Sequence, residues 1–164
     1  MRLSYRLVNA LLVLATIVGM SFALYLEHVT GLEPCPLCIF QRLGLMAMGF
    51  IALIALIHNP ASPAFKRVYA FLAGLGMLWS VSVAGRQIWL QHLPADQVPS
   101  CGPGLNYLVN VLPLKEVLSE VLTGSGECAK IDWTFLGQPL SVWSFVFFSF
   151  LLIVCIWQML RRNT

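Results

Sequence analysis

This sequence is short of charge. Only 10% of its 164 residues are Asp, Glu, Lys or Arg, and 59% are hydrophobic. A soluble domain usually carries about 25% charged residues. The shortage excludes an ordinary water-exposed globule and places much of the chain in lipid. A G-x-G-x-x-G fingerprint is missing as well, which removes the usual glycine-rich cradle for a dinucleotide. No basic stripe interleaved with aromatics lies in a polar segment, so nucleic acid is not an expected partner. The net charge of +3 is small, and the length suggests one domain, 1–164.

What is there instead is four apolar runs, at about 8–26, 39–57, 68–90 and 140–160. Each approaches the ~20 residues, at ~1.5 Å apiece, that cross a ~30 Å hydrocarbon layer. Lipid offers the backbone no hydrogen-bond partners, so these runs are expected to be helices. The first is too long for a signal peptide, lacks a small-x-small cleavage site, and is followed by further spans. The expected fold is all-α: an antiparallel bundle of four membrane helices. Two loops, about 27–38 and 91–139, would face one side.

The remaining charges sort by side. Arg2 and Arg6 precede the first run, Lys66 and Arg67 lie between the second and third, and Arg161 and Arg162 follow the fourth. All seven acids, Glu27, Glu33, Asp96, Glu116, Glu120, Glu127 and Asp132, fall in or beside the other two loops. Basic loops stay in the cytoplasm. Both termini and the 59–67 loop are therefore expected on the cytoplasmic side, with the long loop outside.

Of five cysteines, Cys35, Cys38, Cys101 and Cys128 belong to the outward loops, in a compartment that permits disulfides. Cys155 lies inside the fourth run and reads as a small buried hydrophobe. Cys35-Pro36-Leu37-Cys38 is a Cys-x-x-Cys at a helix start, a spacing that brings two sulfurs together and favours a reactive thiolate. A zinc site would want a second, similarly close pair, and Cys101 and Cys128 are far apart in sequence. A haem attachment would want His where Ile39 stands. Redox chemistry is the favoured reading, with no metal.

Arg42 follows Cys38 by four residues, on the same helix face and one turn deeper, with Gln41 alongside. A charge inside a span costs about 2.5–3.5 kcal/mol at the centre and less near the edge, so Arg42 is a candidate functional group. It could stabilise the Cys38 thiolate and polarise a carbonyl, or simply snorkel to the headgroups. Arg86 reads as a snorkelling residue. In the long loop, Leu114, Val117, Leu118, Val121 and Leu122 recur at helical spacing opposite Lys115, Glu116, Ser119 and Glu120. That pattern predicts a short amphipathic helix on the membrane surface. Thr123-Gly124-Ser125-Gly126 then predicts freedom for Cys128.

Taken together, these residues resemble the DsbB family of bacterial disulfide-forming membrane proteins. The likeness rests on Glu33-Pro34-Cys35-Pro36-Leu37-Cys38-Ile39-Phe40-Gln41-Arg42, on Trp89-Leu90-Gln91-His92, on Cys101 with Cys128, and on Trp133-x-Phe135-Leu136-Gly137. It covers nearly the whole chain. The resemblance implies a relay. A periplasmic thioredoxin-fold thiol oxidase, DsbA-like, attacks a Cys101–Cys128 disulfide at Cys101. Cys35–Cys38 reoxidises that pair through a Cys35–Cys128 bond. The Cys38 thiolate then hands its electrons to a membrane quinone, ubiquinone or menaquinone, beside Arg42. By the same resemblance His92 belongs to the quinone site. Gln41 departs from the pattern, since some members carry an acid there.

Three other readings compete. A vitamin K epoxide reductase-like enzyme would carry its Cys-x-x-Cys near the last core helix, whereas here it opens the second. A four-span scaffold would hold purely structural disulfides. A metal-binding membrane protein would bind metal on purification.

Overall fold

Two of the four long helices begin where the sequence places a proline after a residue with extended backbone. In the computed structural model, which describes residues 4–31, 34–94, 97, 113, 126–131 and 133–161, α1 is Tyr5–His28, α2 is Pro36–His58 and α3 is Pro63–Gln91. A short α4, Gly126–Ala129, and strands β1, Thr134–Phe135, and β2, Gln138–Pro139, precede α5, Leu140–Leu160. The four long helices are each apolar and long enough to cross a membrane.

Three starts differ from the sequence expectation, and the first is α1, which opens at Tyr5, three residues early, with Ser4 as its N-cap. α2 opens at Pro36, three residues early, with Cys35 as its N-cap, and α3 opens at Pro63, five residues early, with Ser62 as its N-cap. Proline at the first helical position has the right φ and no N–H to leave unpaired, so it nucleates a helix before the apolar run begins. The consequence is that Cys38 lies inside the first turn of α2. Lys66 and Arg67 likewise sit on the first turns of α3 and not in a loop, with Lys66 over the ring of Tyr5 on α1. The expected amphipathic helix at 114–122 lies outside the described residues.

α1 packs on α2, α2 on α3 and α3 on α5, with direction alternating along the chain. One end of the bundle carries the start of α1 and the end of α5. The other carries the start of α2 and the ends of α1 and α3. Small residues let the backbones approach. A Cβ on Gly44 would lie 2.6 Å from the Gly76 carbonyl oxygen and collide with Ser80 Oγ, so α2 and α3 touch through glycine. The main core joins Leu12, Leu45, Met48, Ala52, Ala73, Met77, Phe148, Leu151 and Cys155. Phe50, Ile57, Phe71, Phe150 and Ile153 point outward and are more than half exposed. So much outward apolar surface suits lipid and not water.

The segment from Trp133 to Pro139 folds as a hairpin that the sequence did not announce. Thr134 pairs with Pro139 and Phe135 with Gln138. Leu136 and Gly137 both have positive φ, 51° and 76°, the pattern of a tight two-residue hairpin turn. Aromatic rings hold it to the bundle. Trp133 stacks on Phe135 at 6.0 Å, Phe135 meets Trp143 at 5.8 Å, and Trp133 meets Phe22 of α1 at 6.4 Å. Trp143 Nε1 donates to the Phe135 carbonyl at 3.0 Å.

Candidate active site

The first turn of α2 sets the site. Cys35 caps the helix and Cys38 sits one turn in, which brings their sulfurs to 3.0 Å. Both are free thiols here. Cys128 on α4 is 1% exposed and packs with Leu37, Val83 and Leu90, against Cys35. Its burial differs from the freedom expected of a residue beside a Gly-Ser run, because α4 docks on α3 and carries the sulfur inward. Hydrogen bonding to Cys128, then to Cys38, and then burial push the Cys35 thiol well above the ordinary cysteine range. Cys101 lies outside the described residues.

Arg42 lines the same space one turn below Cys38. Its guanidinium turns towards α1, where Nη1 donates to a Glu27 carboxylate oxygen at 2.5 Å and Nη2 to the Ala23 carbonyl at 3.5 Å. The charge is thus paired. Glu27 was visible in the sequence only as one acid among seven; fifteen residues separate the pair, and no local spacing rule joins them.

Gln87 of α3 was also missed. It faces both sulfurs, with Nε2 3.6 Å from Cys35 Sγ and 3.5 Å from Cys38 Sγ. Gln41 Nε2 donates to its Oε1 at 2.7 Å. A neutral amide inside an apolar run was the one available signal. Both glutamines are buried.

Between α1 and α5 a cavity of about 380 Å³ opens against these groups. Ligand pockets commonly span about 300–1,000 Å³. Phe22, Leu26, Trp133, Trp143, Phe147 and Phe148 give it an apolar, aromatic wall, and Cys35, Cys38, Gln41, Arg42, Gln87, Gln91 and Ser141 supply its polar edge. Ser141 Oγ donates to Gln91 Oε1 at 2.5 Å. Such a space fits a flat, mostly apolar molecule with hydrogen-bond acceptor oxygens. His92 stands apart from that lining. It is the C-cap of α3, exposed, with Nδ1 2.8 Å from the Ile88 carbonyl.

Cys155 keeps its expected place. It is 0% exposed within the apolar core, and among the described residues that core holds no second cysteine.

Known proteins carry the same pattern. The family model described as "Disulfide bond formation protein DsbB" matches residues 5–158. The chain belongs to the DsbB family. A relative named Disulfide bond formation protein B from Acinetobacter baumannii is 76% identical, covering 98% of this chain and 94% of its own. One of the same name from Acinetobacter baylyi is 74% identical over 99% and 95%. One from Psychrobacter cryohalolentis is 52% identical over 98% and 94%. The DsbB resemblance seen in the Cys-x-x-Cys segment therefore extends through all four spans. The chain is a multi-pass membrane protein of a disulfide bond formation family, and the DsbB assignment implies a disulfide oxidoreductase.

Proposed function

We propose that this chain is a thiol:quinone oxidoreductase of the bacterial inner membrane, with both termini in the cytoplasm. It reoxidises a periplasmic thioredoxin-fold oxidase and sends the electrons to a membrane quinone. The observation that carries this reading is that Cys35 meets both Cys38 and Cys128, and that Cys35, Cys38 and Arg42 line one apolar cavity.

The chain's own residues divide the work. A reduced partner thiolate bonds to Cys101 and releases the Cys128 sulfur as a thiolate. A second partner thiol closes the partner's disulfide and frees Cys101. The Cys128 thiolate, against Cys35, bonds to Cys35 Sγ, and the Cys35–Cys38 bond breaks with its electron pair left on Cys38. Cys101 then displaces Cys35, restoring the Cys101–Cys128 disulfide and leaving Cys35 and Cys38 reduced. A quinone held in the cavity would supply the oxidant, and Cys35 and Cys38 would give up two electrons and two protons as they close to a disulfide. Arg42 places a positive charge and N–H donors at the cavity wall, and Glu27 holds the guanidinium in place. Charge-assisted hydrogen bonds of this kind contribute about 1.5–3 kcal/mol. The aromatic wall excludes water and binds an apolar ring. Cys35 holds the proton that must leave when the disulfide closes.

The direct test mixes the purified chain with a reduced thioredoxin-fold oxidase and a soluble quinone and follows quinone absorbance. One quinone should disappear for every two partner thiols. Unchanged absorbance with an intact, folded chain would reject the relay.

A further inference from the structure

A sulfur that takes up charge in apolar surroundings needs hydrogen-bond donors. Burial disfavours the charged form, and a hydrogen bond to it restores the balance. The described residues bring one neutral donor to both sulfurs of the Cys-x-x-Cys. It is the side-chain amide of Gln87, 6% exposed, from the facing helix α3.

An amide can present either end. Its N–H₂ donates, its oxygen accepts, and only the first can stabilise a thiolate. Here the choice is settled by Gln41, 4% exposed, whose Nε2 donates to Gln87 Oε1 at 2.7 Å. The Gln87 oxygen takes the 2.7 Å bond from Gln41 and a longer 3.7 Å contact from the Cys38 thiol, while its N–H₂ reaches Cys35 and Cys38 at 3.6 and 3.5 Å. The register of α2 on α3 is itself held nearby. Ser80 Oγ donates to the Gln41 carbonyl at 3.0 Å, and Gly44 meets Gly76 at van der Waals distance.

We propose that Gln87 is a catalytic hydrogen-bond donor to the Cys38 sulfur as that sulfur takes up negative charge, and that Gln41 is the positioning residue that aims it. The proposal rests on the relay above. When the Cys128 thiolate bonds to Cys35, the electron pair of the Cys35–Cys38 bond departs on Cys38, and Gln87 Nε2 already stands 3.5 Å away. Because the amide also reaches Cys35 Sγ, it serves whichever sulfur of the pair carries the charge. Cys38's other charged or titratable neighbours are Cys35 and Arg42 on α2, with Glu27 of α1 behind Arg42, and Cys128 on α4. Lys130 lines the same cavity. From α3 the group facing the sulfurs is neutral, so it adds a donor without adding a second cation beside Arg42. A carboxylate in place of Gln41 would accept from Gln87 Nε2, reverse the amide, and aim its oxygen at the sulfurs.

The test measures the reduction potential of the Cys35–Cys38 pair in the full chain. The chain, in detergent, is equilibrated with mixtures of reduced and oxidised dithiothreitol at pH 7. Thiols are trapped by alkylation and the peptide carrying Cys35 and Cys38 is quantified by mass. Gln87→Met keeps the bulk and removes the donor. It should make the dithiol form about tenfold less favoured, a shift of about 30 mV to more negative potential. Gln41→Met should shift the equilibrium in the same direction by about threefold. Gln158→Met makes the same replacement at a buried glutamine of α5, far from the sulfurs, and should leave the potential unchanged. A Gln87→Met potential within twofold of wild type in a folded chain overturns the proposal, and so does an equal shift in Gln158→Met. If Gln87→Met does not fold, an unchanged Gln41→Met overturns it. Neither quinone nor partner oxidase is present. Failure of wild-type quinone reduction would thus reject the relay, whereas an unchanged potential would reject the role of Gln87 alone.

Discussion

Cys128 and Cys155 are the same residue at the same burial, 1% and 0% exposed, in opposite halves of one bundle. Cys155 touches Met77, Leu151 and other apolar side chains of the main core. Cys128 stands against Cys35, which lines one cavity with Gln41, Gln87 and Arg42. The contrast teaches that burial does not decide whether a cysteine is inert. Its neighbours do. One half of the bundle fills its interior with methionine, alanine and leucine. The other half leaves space and places polar groups around it.

The sharpest way to break that contrast is to remove one sulfur from each half. Cys38→Ser should abolish thiol-driven quinone reduction, on the order of 10³-fold or more. Cys155→Ser should leave the rate of the folded chain within about twofold. Equal loss in both variants, measured by quinone absorbance, would erase the distinction. The next effect is on stability. Met77→Ala hollows the core and should cost about 2–5 kcal/mol in detergent unfolding, while the folded fraction keeps its turnover. A variant that unfolds normally but turns over slowly would place Met77 in the functional half.

Smaller effects sharpen the boundary of the functional half. Arg42→Ala should raise the quinone KM roughly tenfold to hundredfold, from the loss of about 1.5–3 kcal/mol of charge-assisted bonding. The KM for the partner oxidase should change far less, and an unchanged quinone KM would remove Arg42 from the cavity's function. His92→Ala should change the quinone KM by less than about threefold, since the ring is exposed and bonded to its own helix. An effect as large as that of Arg42→Ala would mean that His92 reaches the ligand.

The two halves also differ in how readily they can be read from residues alone. Four spans follow from length and hydrophobicity, because lipid leaves a backbone few choices. The last span, 140–160, coincides with α5. The starts of α2 and α3 were misplaced because apolar runs mark where lipid begins, whereas Pro36 and Pro63 mark where helix begins. At the site, Cys35, Cys38 and Arg42 declare themselves by one helical turn of spacing. Glu27, Gln87 and the burial of Cys128 do not, since each depends on one helix meeting another. The β1–β2 hairpin escaped for a similar reason: Leu136 at positive φ is an unusual residue for its turn, and the aromatic contacts that hold it come from α1 and α5.

A stoichiometric titration tests the central claim without any partner. The fully reduced chain in detergent is mixed with a water-soluble quinone, and disulfides are counted by mass as quinol is counted by absorbance. A Cys35–Cys38 disulfide should form with one quinol for each, in wild type and in Cys155→Ser alike. Quinol formed without that disulfide, or no quinol at all from a folded chain, would contradict the account.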